Sequence, residues 1–183
     1  MVLPMDPKAI LAGFDDFLAK RSLRFEGVIV GAAALNLLGI VSRATKDCDV
    51  LAPEIPPEIA EASRAFAAAR RVAGEPLDED WFNNGPRSLT ADLPAGWEQR
   101  LQPLFNGRSL ELRTLGRLDL LRAKLFALCD RGIDIGDCIA LAPTADELRA
   151  IAPWLVARDG NPLWPEHVAA RLASLAKRLG HAV

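Results

Sequence analysis

The spacing of hydrophobic residues changes along the chain, and each change predicts a different element. Asp6-Pro7 supplies a cap and a first helical turn, and apolar residues then recur every three or four positions to about Lys20, which predicts a helix. The apolar run over residues 25–30 is typical of a strand buried on both faces. The side chains expected on the buried side of the first helix are Ile10, Leu11, Phe14 and Leu18.

Turn signals divide the later part of the chain. Asn106-Gly107 is a two-residue hairpin signal, and it joins two predicted strands near residues 98–105 and 109–115. Helical periodicity is found on both sides of this hairpin. Helices are predicted over residues 57–71, 117–130, 144–157 and 165–179.

Length and composition limit the fold and its surroundings. With 183 residues, of which 50% are hydrophobic and 25% charged, the chain suits one α/β (α+β) domain over 1–183. We expect a sheet-containing core over 1–116 and a helical C-terminal portion over 117–183 packed on it. The formal charge of −2 gives no general field for nucleic acid, so any RNA would have to meet a local basic patch.

The same composition makes several other classes of protein poor candidates. No stretch approaches 18 apolar residues, which argues against a membrane span. Three widely spaced cysteines without a Cys-x-x-Cys pair do not form the pattern of a structural zinc site. A reducing cytoplasm is the expected compartment.

The chemistry is concentrated in a glycine turn and an acidic strand. Gly31 ends the first apolar run, and without a Cβ it permits a sharp turn whose backbone N–H groups can meet a phosphate. Asp47 and Asp49 follow on the next predicted strand, where the period of two places both carboxylates on one side, about 7 Å apart. Such a pair suits Mg²⁺, with water and substrate phosphates filling the remaining positions. The pattern predicts phosphoryl or nucleotidyl transfer. Taken alone, Gly31 has the alternative of a simple strand-to-helix turn, and Asp47 and Asp49 have the alternative of solvated edge charges.

This order of residues resembles a known family. The stretch from Gly31 to Leu51 is similar to the signature of polymerase-β-type nucleotidyltransferases, and within them to the AbiEii/MenT-like branch and its uncharacterised relatives. Ala32 departs from the pattern, because many members have Gly or Ser there, so a hydroxyl contact to phosphate is missing. The residues that match the branch's continuation are Arg43, Thr45, Asp47 and Asp49.

A second block extends the resemblance into the helical portion. Lys124 lies off the apolar stripe of Leu121, Leu125 and Leu128, and Asp137 follows it. By the family match, Lys124 would neutralise triphosphate charge, and Asp137 would orient Lys124 or act on the attacking hydroxyl. The alternative makes Lys124 an ordinary snorkelling helix lysine, with its charged end in water, and Asp137 a helix cap.

Most polymerase-β-type enzymes carry a third carboxylate that acts as a base. Glu111 is one candidate, because strand alternation places it on the face opposite the apolar Leu110 and Leu112; the alternative is that it simply faces water beside Arg113. Asp137 is the other candidate for this acid.

The resemblance implies a nucleotidyltransferase-type sheet and a catalytic activity. The protein would use Mg²⁺ or Mn²⁺ to move a nucleoside monophosphate from an NTP to a hydroxyl of tRNA or protein, in a toxin–antitoxin or phage-defence setting with a cognate toxin or antitoxin. Metal would be held by Asp47 and Asp49, and the nucleotide by Gly31, Ala32, Arg43 and Lys124. The alternative is a noncatalytic nucleotide-binding or interaction module that retains the fold.

Overall fold

The N-terminal part of the chain is built on a five-stranded mixed sheet. The computed structural model describes residues 6–75 and 77–181, and the chain divides after Leu115 into two compact units. The elements of the first unit are α1 (Pro7–Ala19), β1 (Phe25–Val30), α2 (Gly31–Leu37), β2 (Cys48–Ala52), α3 (Pro57–Val72), β3 (Phe82–Asn83), β4 (Gln102–Asn106) and β5 (Leu110–Thr114). The elements of the second unit are α4 (Arg117–Arg131), α5 (Ile135–Leu141), α6 (Ala145–Val156) and α7 (Trp164–Arg178).

The central strand of the sheet is β1. The strand order is β3-β2-β1-β5-β4, and β1 runs antiparallel to β2 and parallel to β5. The predicted bounds of β1 are confirmed, but its burial on both faces holds only for its second half, because Glu26 is exposed whereas Val28, Ile29 and Val30 are buried. The α+β class predicted from the sequence is confirmed.

Helices α1 and α3 cover one face of the sheet with an aromatic-rich core. The predicted stripe of α1 is confirmed, since all four of its apolar residues are buried. Phe14 of α1 packs edge-on against Trp81, whose indole N–H donates to the Ser63 carbonyl at 3.3 Å. Trp81 is fully buried and therefore belongs to the core, not to a surface that could stack on a base.

The predicted strand at residues 98–105 begins later than expected. Gly96 adopts a φ of +76°, and residues 97–100 form a 3₁₀ turn before β4 starts at Gln102. This tight turn takes up the first residues of the predicted strand, so extended pairing begins only after it.

The predicted hairpin exists, but its loop is longer than the Asn-Gly signal implies. Strand β4 ends at Asn106 and β5 begins at Leu110, so residues 107–109 form the loop between them. The Asp15 carboxylate of α1 closes this loop by accepting the backbone N–H groups of Arg108, Ser109 and Leu110 at 3.1, 2.7 and 2.8 Å. Burial opposes ionisation of Asp15, but these hydrogen bonds and the charge of Arg108 outweigh it and lower the pKa.

The second unit consists of α4 to α7. The predicted apolar stripe of α4 is confirmed, because Leu121, Leu125 and Leu128 are buried. The short helix α5 was not predicted as an element. Glu147 completes a capping box at the start of α6 and also accepts from Arg117 at 2.7 Å. None of the helices that the structure describes is long and apolar enough to cross a membrane.

Candidate active site

Asp49 and Gly31 meet where β1 turns into α2. Asp49 lies opposite Val30 in the antiparallel β1–β2 pair, so its carboxylate is next to the turn that follows β1. Gly31 has a φ of +77°, and a Cβ added there would lie only 2.7 Å from Oδ2 of Asp49. Glycine therefore permits both the left-handed backbone conformation and the close approach of the carboxylate. The glycine turn and the acidic strand form one site.

Asp47 lies immediately before β2, not within it. The hydroxyl of buried Thr45 is a donor 3.2 Å from the Asp47 backbone oxygen and 3.4 Å from its Oδ1. Burial raises the pKa of the Cys48 thiol, and the charges of Asp49 and Asp47 raise it further. Both carboxylates raise the pKa of the same thiol, so their negative charges lie near each other at the start of β2.

Sequence reasoning missed Asn83, which lies beside Asp49 on the neighbouring strand. The two residues face each other in the parallel β2–β3 pair. Asn83 Oδ1 accepts from the Gly85 N–H at 2.7 Å, and its Nδ2 donates to the Asp80 carbonyl at 3.2 Å. A Cβ on Gly85 would lie 2.8 Å from Asn83 Oδ1 and 3.9 Å from Asp49 Oδ1, so both oxygens border the same space. An amide oxygen thus occupies the position next to Asp49.

The loop that carries Asn83 is fastened to β2 by its neighbour. The Asn84 amide donates to the Val50 and Pro53 carbonyls, both at 3.0 Å, and accepts from the Ile55 N–H at 2.8 Å. The signal available in the sequence was the Asn-Asn-Gly triplet, which predicts a turn but gives no sheet register. Only the pairing of β3 with β2 identifies its place beside the acids.

Glu111 lies farther from Asp49 across the sheet than Asn83 does. It faces Glu26 in the β1–β5 pair, and β1 separates its strand from β2. Its side chain is 42% exposed and pairs with Arg113 at 3.2 Å. This is the water-facing arrangement given above as the alternative, and a role for Glu111 as the third acid stays a prediction.

Lys124 is buried in the second unit between two carboxylates. Its residue is 7% exposed, and Nζ lies 2.8 Å from Asp137 Oδ2 and 3.0 Å from Asp134 Oδ2. Asp137 is inside α5, and Asp134 holds the N-cap position with a φ of +67°. The alternatives of a surface lysine and of a cap at Asp137 are therefore wrong. The relation expected from the resemblance, an aspartate beside this lysine, is present, but the role of either residue toward a nucleotide stays a prediction.

The remaining predicted residues lie around the glycine turn. Ala32 is half-buried in the first turn of α2, and Arg43 is exposed on the segment between α2 and β2. The Asn36 side chain donates to the Arg43 carbonyl at 3.0 Å and so ties this segment to α2. The nucleotide contacts expected of Ala32 and Arg43 stay predictions.

The three cysteines are buried thiols that stay protonated at neutral pH. Burial raises the pKa of Cys129 to about 11. Burial together with the Asp134 charge raises the pKa of Cys138 to about 12. Because a thiolate is the reactive form, these residues are not placed to act as nucleophiles.

The donor set around Asp47 and Asp49 fits a hard divalent cation. Carboxylate and amide oxygens are the ligands that Mg²⁺ and related ions take in proteins, and the oxygens of Asp49 and Asn83 border one space. Within residues 6–75 and 77–181, no group of three or more His, Cys, Asp or Glu side chains is arranged to hold a metal ion. An ion held by this aspartate pair would take its other ligands from water and substrate phosphates, as Mg²⁺ commonly does.

The mixed sheet, the glycine turn after its central strand and the acidic neighbouring strand define a nucleotidyltransferase-type protein. Residues 9–141 match the model of a family described as a nucleotidyltransferase of unknown function (DUF6036), and the chain belongs to that family. The matched region includes the first unit from α1 onward together with α4 and α5. Comparison with curated proteins and with solved structures gave no match.

Proposed function

We propose that the protein uses Mg²⁺ or Mn²⁺ to transfer a nucleoside monophosphate from an NTP to a hydroxyl acceptor. The observation that supports the proposal is the position of the Asp49 carboxylate beside the Gly31 turn, where a Cβ added to Gly31 would lie 2.7 Å from Oδ2, because an acid suited to a metal ion then lies next to a turn suited to phosphate. Membership of the nucleotidyltransferase family supports the same activity. The AbiEii/MenT-like branch is the source of the finer proposals about acceptor and partner.

In the proposed reaction, the acceptor oxygen forms a bond to the α-phosphorus of the NTP. The bond from that phosphorus to the oxygen bridging the α- and β-phosphates breaks, pyrophosphate leaves, and the acceptor hydroxyl gives up its proton. Asp47 and Asp49 would hold the cation, which when bound neutralises phosphate charge and polarises the phosphoryl group. Backbone N–H groups at Gly31 and Ala32 would bind phosphate oxygens, and Arg43 would contact the triphosphate.

Roles in the second unit rest on the resemblance alone. Lys124 would balance charge that develops on the phosphates, with Asp137 orienting it. Asp137 and Glu111 stay the two alternatives for the acid that takes the acceptor proton. The acceptor would be tRNA or a protein, and a cognate toxin or antitoxin would be the partner.

A noncatalytic nucleotide-binding module is the second candidate. The observation that favours it is Asn83, because the residue paired with Asp49 across the β2–β3 ladder is a neutral amide and adds no further acid to the site. Such a module would bind an NTP with the metal and would not transfer its nucleotide. The two candidates differ in turnover, not in nucleotide binding.

The test is the affinity for a non-hydrolysable NTP with and without Mg²⁺, measured by calorimetry. Asp49→Asn should weaken metal-dependent binding at least tenfold, which is about 1.4 kcal/mol, because the site loses one of its two charges. Asp78→Asn is the matched control, since this exposed loop acid lies in the same unit. Equal binding by wild type and Asp49→Asn, or equal losses in both variants, would contradict the assignment. Transfer of α-³²P label to candidate acceptors then separates the enzyme from the module.

A further inference from the structure

A cleft on the first unit lies on the same side of the sheet as Asp49. Its volume is about 260 Å³, and strands β1, β2 and β5 form its floor together with the 3₁₀ turn over residues 97–100. A volume near the lower limit of ligand pockets accommodates about one sugar ring or one long side chain. Trp97, Leu101 and Pro53 supply apolar wall.

The strand register assigns the cleft and Asp49 to one face. Glu26 and Val28 line the cleft. The β1–β2 register shifts between Val28 and Ile29, but the extra residue lies on β2, so alternation along β1 still places Val30 on the same face. Val30 lies opposite Asp49, and directly opposed residues share a face. Phe25 and Ile29, which alternate with these residues, belong to the helix-covered core. The cleft residue Val28 therefore lies about 7 Å along β1 from Val30, the residue opposite Asp49.

The lining surface is mostly apolar, and the charged residues along it are mainly acidic. Glu26, Glu98 and Glu111 contribute three carboxylates, against the one guanidinium of Arg113, which is paired with Glu111 at 3.2 Å. Phosphate groups would be repelled here, whereas an ammonium group beside carboxylates and the Trp97 ring would be attracted. The charge therefore favours one class among the possible acceptors.

We propose that this cleft binds the acceptor, and that the acceptor carries an ammonium group near its reactive hydroxyl. The inference rests on the proposed nucleotidyl transfer and names the substrate class for it. A basic segment of a protein and a free amino alcohol share this chemistry. An RNA strand, whose backbone is anionic, does not.

The test measures binding without requiring turnover. The probes are acetyl-Lys-Ser-Lys-amide and acetyl-Gln-Ser-Gln-amide, which differ in charge, and ethanolamine and ethylene glycol as the small-molecule pair. Binding is followed by ¹⁵N NMR at the indole N–H of Trp97, assigned with Trp97→Phe. The cleft variant is Glu26→Gln with Glu98→Gln. Glu61→Gln is the matched control, because this exposed acid lies on α3, which covers the opposite face.

We expect the cationic member of a pair to bind about threefold to tenfold more tightly, with a difference that decreases as salt is added. The cleft variant should remove the difference and Glu61→Gln should retain it. Preference for the peptide over ethanolamine indicates a protein acceptor, and preference for ethanolamine a small one. Equal affinity within both pairs, a difference that survives in the cleft variant, or cleft shifts caused only by NTP would overturn the proposal. NTP binding with Mg²⁺ in the same samples reports separately on the proposed function.

Discussion

Two groups of carboxylates in this chain lie in different surroundings. In the first unit, Asp47 and Asp49 are half-buried at the start of β2, and Asp49 lies against the backbone of Gly31. In the second unit, Asp134 and Asp137 lie on either side of Lys124, which neutralises charge within the fold. The Lys124 ammonium lies 3.0 Å from Asp134 Oδ2 and 2.8 Å from Asp137 Oδ2, and all three side chains are mostly buried.

The difference in burial predicts a difference in the stability lost when one charge is removed. A buried ion pair that loses one partner leaves an uncompensated charge, which costs about 3–5 kcal/mol. Asp47 and Asp49 are less buried, so the loss of one charge there should change stability less. Changes in the second group should therefore lower the free energy of unfolding most, and changes in the first group should be detected mainly in metal-dependent binding.

The largest effect is expected for Lys124→Met. The substitution leaves the carboxylates of Asp134 and Asp137 without their shared cation, so the free energy of unfolding should fall by about 3–5 kcal/mol. Urea unfolding followed by circular dichroism measures this change. Lys177→Met on the exposed side of α7 is the control and should change stability by less than about 0.5 kcal/mol. A similarly small change for Lys124→Met would break the contrast between the two groups.

Gly31→Ala tests the backbone contact in the first unit. An alanine at Gly31 meets both a positive φ and the Asp49 carboxylate, whereas Gly39 has a φ of +72° and nothing within 4 Å of an added Cβ. Gly39→Ala should therefore lower the free energy of unfolding by only about 1–2 kcal/mol, the cost of placing a residue with a Cβ in the left-handed conformation. Gly31→Ala should cost about 1–3 kcal/mol more and should also weaken metal-dependent NTP binding. Equal losses of stability and unchanged binding would mean that the carboxylate moves aside freely.

Asp15 provides a third environment, in which backbone N–H groups satisfy a carboxylate. Because its folded pKa is lowered, the ionised form stabilises the fold at pH values above the unfolded pKa near 4, and this contribution is lost as the pH falls through the folded pKa. Asp15→Asn should lower stability at neutral pH by about 1–2 kcal/mol and flatten its decrease in acid. Urea midpoints from pH 7 to acid measure both effects. An unchanged acid slope would show that other groups control it.

The smallest effect is expected for Asn83→Asp. The variant keeps an oxygen acceptor for the Gly85 N–H, loses the donor to Asp80 and adds a negative charge beside Asp49. Mn²⁺ affinity should rise about fivefold, which is about 1 kcal/mol, because a third charged oxygen joins the two acids. Asn161→Asp makes the same chemical change in the loop before α7 and should leave Mn²⁺ affinity unchanged. Weaker binding by Asn83→Asp would indicate that the hydrogen bond to Asp80 positions the site.

Elements with a strong local signal could be predicted from the sequence. The cap at Asp6, the apolar run of β1 and the stripe of α4 each depend on neighbours within the same element, and each is confirmed. Helix α5 was missed because it has only seven residues and follows a residue with positive φ, so it offers neither a long period nor a side-chain cap.

The site was predictable only in part, because its assembly depends on pairing between strands. The acidic residues and the glycine turn have a local pattern, whereas Asn83 reaches Asp49 through a two-residue strand that no period identifies. Lys124 shows the same limit in another form. A helical stripe indicates which residues face apolar neighbours. It does not show that a lysine beside the stripe is buried and paired with two carboxylates.

The closure of the β4–β5 loop by Asp15 also has a consequence for the order in which the chain is made. Asp15 leaves the ribosome before the N–H groups of residues 108–110, which lie 93 to 95 positions later. At about 5–20 residues per second, α1 waits roughly 5 to 20 s for the groups that satisfy this carboxylate. The first unit therefore gains this contact only near the end of its own synthesis.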